Sequence, residues 1–184
     1  MRIVRTMIIS LLLALIPAII SLILMDSCLP AFIIVVFLFM LGLEAAEDRK
    51  YQMVYIAPIV VCIISGIVLL LFNLRCYYFG FSPDRLFMML AVFAIIIFAC
   101  TKSMGAGDIL IYIGLFLYNF LIVQKVFGMV SLLTLMFSLA LFIIRHLPKI
   151  KKQRTLHIVS GYTTDIYIAC WFITILSVMF VGAD

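Results

Sequence analysis

Long apolar runs alternate along the chain with short polar breaks. The runs are Ile8–Leu24, Ala31–Ala46, Met53–Phe72, Leu86–Cys100, a run from near Asp108 to Val123, Phe127–Ile144 and Asp165–Val181. Each approaches the roughly 20 residues that carry a helix across the hydrocarbon core of a bilayer. Backbone in lipid must satisfy its own hydrogen bonds, and a helix does so within one segment. The pattern therefore predicts an all-α fold, a polytopic membrane helix bundle of about seven spans. The breaks agree with it. Asp26-Ser27-Cys28-Leu29-Pro30 reads as a tight turn, with Pro30 in the first turn of the next helix. The loop Asn73–Arg85 carries Tyr77, Tyr78, Phe79 and Phe81, amphipathic or apolar rings suited to a membrane interface.

Composition supports this picture. Of the 184 residues, 68% are hydrophobic and 11% charged, whereas a soluble domain has about 25% charged residues. Residues 1–184 read as a single integral membrane domain, with no stretch left for a soluble one. The first run reads as a retained span, because its apolar stretch is long and no clear small-residue cleavage site follows. The net charge of +5 does not point to nucleic acid, because the basic residues sit in short loops between spans. Sorted by alternating sides, Arg2, Arg5, Arg49, Lys50, Lys102, Arg145, Lys149, Lys151, Lys152 and Arg154 fall with the N-terminus, ten in all. Arg75, Arg85 and Lys125 fall opposite. Basic loops stay in the cytoplasm, so the N-terminus is expected there and the C-terminus outside. The cluster Lys149–Arg154 also suits anionic lipid. Five cysteines form no CxxC pair and read as small core residues. His146 and His157 lack metal-ligand spacing, so no metal and no cofactor are expected.

The same topology sorts the acids. Asp26, Asp84 and Asp184 fall outside; Glu44, Glu47, Asp48, Asp108 and Asp165 fall at the cytoplasmic face. Asp48 closes the second span and Asp108 opens the fifth, after Gly105-Ala106-Gly107. Charge at membrane depth is costly and marks a functional site by default. Two carboxylates sharing a site do not both ionise readily. The charged one can act as general base on a water between them while the protonated one hydrogen-bonds a scissile carbonyl. Gly105 and Gly107 lack a Cβ and allow bent backbone and the close approach of an extended peptide. Taken alone, Asp108 also suits a helix N-cap. Asp48 also suits a structural interface cluster with Arg49, Lys50 or Lys102, and Asp165, after Gly161-Tyr162-Thr163-Thr164, suits a cap. No HExxH, GxSxG or phosphate-binding loop competes with the acids.

Gly105-x-Gly107-Asp108, with an upstream Asp48 at the cytoplasmic end of another helix, resembles the type IV prepilin peptidase family. The wider GxGD class of membrane aspartyl proteases also includes preflagellin peptidases and presenilins. The resemblance covers most of the chain from the second span onward. It implies an aspartic-type endopeptidase with catalytic Asp48 and Asp108. The implied partner is a pilin-like precursor whose basic leader is cut at the cytoplasmic face of the cell membrane. Glu44, one helical turn before Asp48, could with Glu47 attract that leader, although the pair also suits plain solvation of the helix end. The chain departs from the family at Val54-Tyr55, where the pattern has Pro-Asn, and at Leu110, where it has Lys. It carries no insert with paired CxxC motifs, so the resemblance is to a peptidase-only form. Two other classes fit parts of the pattern. A small ion-coupled transporter also uses broken helices with acids, though no paired inverted repeat is evident. A non-catalytic membrane assembly factor could retain the peptidase fold.

Overall fold

The computed structural model describes residues 2–25, 28–51, 60, 64, 83–100, 105–123, 126–153 and 162–181. Apart from Val60 and Ile64, the expected span Met53–Phe72 lies outside these, as does most of the aromatic loop after it. Among the described residues the regular elements are helices: α1 (Arg2–Met25), α2 (Cys28–Tyr51), α3 (Pro83–Cys100), α4 (Ala106–Ile122), α5 (Phe127–Gln153) and α6 (Thr163–Val181). Four contain segments long and apolar enough to cross a membrane: Val4–Met25, Cys28–Ala46, Phe127–Arg145 and Thr163–Val181. The helix α4 is shorter, with 17 residues, and apolar.

Two helices run past their expected ends. Helix α2 continues through the polar cluster to Tyr51, and α5 through the basic segment to Gln153. Glu, Lys, Arg and Gln are good helix formers, so a change from apolar to charged residues ends the apolar run without ending the helix. Asp48 therefore sits within the last turn of α2.

Helix α6 packs against α1, α2 and α5; α4 packs against α2, α3 and α5. The core between them includes Ile34 and Leu38 of α2, Tyr112 and Leu115 of α4, Leu135 of α5, and Ile166 and Val178 of α6. Leu12, Ile16, Ile19 and Ile23 of α1 are exposed at helical spacing, a stripe that suits lipid.

Specific contacts fix the helices against one another. Pro17 lies inside α1 and has no N–H to give to the carbonyl four residues back, which is that of Leu13. The indole Nε1–H of Trp171 on α6 donates to that carbonyl at 2.9 Å. At the start of α5, both Asp84 carboxylate oxygens accept backbone N–H groups, Oδ2 from Gly128 at 3.0 Å and Oδ1 from Met129 at 2.9 Å. The first turn of α3 thus caps the N-terminus of α5, where N–H groups have no intrahelical partner. The approach is close enough that a Cβ on Gly128 would run into the Asp84 carbonyl oxygen and lie 2.9 Å from the Met88 nitrogen.

A further layer sets the register of the three helices that carry the acids and their donor. Phe37 of α2 stacks on Tyr118 of α4 with ring centroids 4.2 Å apart. The Tyr118 hydroxyl in turn hydrogen-bonds Thr174 of α6 at 2.9 Å. These residues lie ten or eleven positions from Asp48, Asp108 and Thr163, which is about 15 Å along a helix. Helices α4 and α6 run parallel, with α2 antiparallel to both, so one stacked layer aligns one C-terminus with two N-termini.

Candidate active site

The end of α2 and the starts of α4 and α6 meet at one place. Asp48 is buried there, with 7% of its surface exposed. Its Oδ2 accepts the backbone N–H of Thr163 at 3.1 Å. Thr163 is the first residue of α6, where N–H groups lack an intrahelical acceptor and the helix dipole favours an anion. The hydroxyl of the same threonine donates to Asp108 Oδ1 at 3.3 Å. One fully buried residue therefore joins the two acids, which are 60 positions apart in sequence. The next residue pins this turn to α2: Thr164 Oγ1 donates to the Ala45 carbonyl at 3.3 Å.

Asp108 is half-buried and lies in the first turn of α4, two residues after its first residue. The cap position belongs to Gly105, whose backbone is extended at φ −70° and ψ 154° and which offers no side chain. The Asp108 carboxylate reaches back and hydrogen-bonds the Gly105 backbone, as an acid at the third helical position does in half of a capping box. The φ value suits any residue, so Gly105 does not serve as a left-handed hinge. It leaves room instead: a Cβ there would stand 3.3 Å from Asp108 Oδ2. Gly105 is exposed, Asp108 half-buried and Asp48 only 7% exposed, so Asp108 is the more accessible of the two acids.

A third acid lies one turn away. Asp165 is 2% exposed and its Oδ2 stands 2.8 Å from Arg145 Nη2, near the end of α5. The sequence assigns Arg145 to topology and Asp165 to a cap; the structure joins them as an ion pair between α5 and the first turn of α6. Below Asp108, the hydroxyls of Tyr112, Ser138 and Tyr162 form a buried triangle. Tyr162 stands 3.0 Å from Tyr112 and 3.1 Å from Ser138, Tyr112 bonds Ser138 directly, and Ser138 donates to the Leu135 carbonyl at 2.8 Å. Burial pushes the Tyr162 phenol up to about 12, so it stays a neutral donor through the physiological range. The triangle ties α4, α5 and the residue before α6 together beneath the acids.

Glu44 is buried, 3% exposed, one turn back on α2. The side chain of Glu47 lies outside the described residues. Among the described residues no group of three His, Cys, Asp or Glu side chains is placed to hold a metal ion. The structure thus brings Asp48, Asp108 and Gly105 into one site and adds Thr163, which the sequence shows only as part of the lead-in to Asp165. Its one visible signal is threonine at the start of an apolar run, and that also describes an ordinary helix beginning.

Comparison with protein-family models, with curated proteins and with solved structures finds no match to the chain. What fold and site define together is an all-helical membrane protein with two carboxylates gathered on one threonine at a junction of helix ends.

Proposed function

We propose that the chain is a membrane aspartyl endopeptidase that cuts the leader from a type IV prepilin-like precursor, with Asp48 and Asp108 as its catalytic pair. The observation that carries this reading is the junction itself. Two acids from different helices share one buried donor residue, one acid buried and the other half-buried. Hydrolysis by such a pair needs one proton between two carboxylates. The ionised carboxylate takes a proton from water as that water attacks the peptide carbonyl carbon. The protonated one donates to the carbonyl oxygen, and collapse of the tetrahedral intermediate breaks the C–N bond as the amine leaves protonated. Asp108, half-buried beside Gly105, is the acid that an extended peptide reaches first. The GxGD pattern around Asp108 supports the same reading. In the topology that goes with it the chain has seven spans, with the N-terminus and both acids at the cytoplasmic face. A precursor whose basic leader lies on that face presents its cleavage site to the pair.

Coexpression with an epitope-tagged pilin-like precursor from the same genome tests the reading. The native chain is expected to yield a shortened product, and Asp48→Asn or Asp108→Asn to leave the precursor whole. Cleavage that survives Asp108→Asn sinks the assignment. An intact precursor beside stably expressed native protein moves the weight to a transporter or a non-catalytic assembly factor.

A further inference from the structure

We propose that Thr163 is the positioning residue of this site: its backbone N–H orients the Asp48 carboxylate and its hydroxyl orients the Asp108 carboxylate toward a common substrate bond. This role rests on the peptidase reading and deepens it.

The two contacts use the two donors of a single residue, 3.1 Å to Asp48 and 3.3 Å to Asp108. No part of Thr163 is exposed to solvent, so water does not compete for either donor. The N–H sits at the first position of α6, where it has no intrahelical duty. A threonine hydroxyl deeper in a helix bonds back to the carbonyl a turn earlier; at the first position it is available for a side chain on another helix. Both donors stand on the backbone of α6. That backbone is held along its length. Tyr162 accepts the N–H groups of Asp165 and Ile166, Thr164 bonds α2, Trp171 bonds α1 and Thr174 bonds α4. The acids come from the ends of α2 and α4, while their shared reference point belongs to a third helix, tied by these bonds to α1, α2 and α4. A displacement of about 1 Å in such a pair costs on the order of 10²-fold in rate.

The test compares the native protein, Thr163→Val and Thr163→Ser in cleavage of the tagged precursor, with kcat and KM measured in the same lipid. Valine keeps shape and branching and loses the hydroxyl; serine keeps the hydroxyl and loses the methyl. The expected result is a kcat lowered on the order of 10²-fold in Thr163→Val, an unchanged KM, and a native-like kcat in Thr163→Ser. A packing role reverses the order, with valine active and serine impaired, and overturns the proposal. Native-like rates in both variants overturn it too, while leaving the peptidase reading in place. A native chain that leaves the precursor whole overturns both together. Thermal unfolding of each variant runs in parallel. If valine weakens the fold, serine still decides: a lowered kcat in folded Thr163→Ser overturns the role of the hydroxyl.

Discussion

Glycine 105 separates two jobs that look alike in a sequence. A glycine before a helix suggests backbone freedom, yet its φ of −70° is open to any residue, and what it provides is space beside Asp108 Oδ2. Two effects follow for Gly105→Ala. Alanine at a compatible φ and ψ restricts the unfolded chain by about 0.4–1 kcal/mol, but it is a poorer N-cap than glycine, so stability changes little. The added methyl, 3.3 Å from Oδ2, displaces the carboxylate and, on the proposed peptidase reading, lowers cleavage about tenfold, a barrier change of about 1.4 kcal/mol. Thermal unfolding and initial rates on one preparation check both; a destabilised but fully active variant contradicts the geometry. The acids were legible because a charge among apolar residues is costly enough to need a reason. Thr163 was not, because threonine is uncharged, common at helix starts, and marked only by what lies across the bundle. Arg145 was legible as a basic loop residue, and its partner Asp165 as a helix start, but nothing in their local sequence joins them.

At the scale of the element, hydrophobic periodicity located the helices and missed where some of them stop. Helices α2 and α5 overrun the apolar segments by several residues, because helix propensity does not fall when charged residues begin. That overrun puts Asp48 on a rigid helix rather than in a loop. Contacts between helices were beyond the reach of the sequence, and α1 and α6 show why. Pro17 leaves the Leu13 carbonyl without its helical donor, and Trp171, 158 positions from Leu13, supplies one. The two positions are expected to couple. Trp171→Phe keeps an aromatic ring but strands the carbonyl, at a cost of about 1–3 kcal/mol. In a Pro17→Ala background the restored N–H takes that carbonyl within α1, so the same substitution costs less. A double-mutant cycle read by thermal unfolding in one lipid checks this, and equal costs in both backgrounds contradict the assigned bond.

At the scale of the whole molecule, the side of the membrane assigned to each acid and the end of the bundle at which it lies come from different sources. The count of basic residues by loop places Asp48 and Asp108 together only when spans are counted correctly. The structure reaches the same juxtaposition through packing, with the Phe37–Tyr118–Thr174 layer holding α2, α4 and α6 in register about 15 Å from the junction. The central claim is that two acids distant in sequence occupy one site, and cross-linking tests it without knowledge of the substrate. Asp48→Cys and Asp108→Cys would be combined in a chain whose five natural cysteines are replaced, and membranes treated with a short bifunctional thiosulfonate. One linker is expected to consume both thiols within a single chain, read as intact mass and as loss of later maleimide labelling. A control chain keeps natural Cys28, at the opposite end of α2 from Asp48, as the partner of Asp108→Cys, and should stay unlinked. Two separately modified thiols in the Asp48→Cys/Asp108→Cys chain, with the protein folded, would contradict the shared site and with it the catalytic pair.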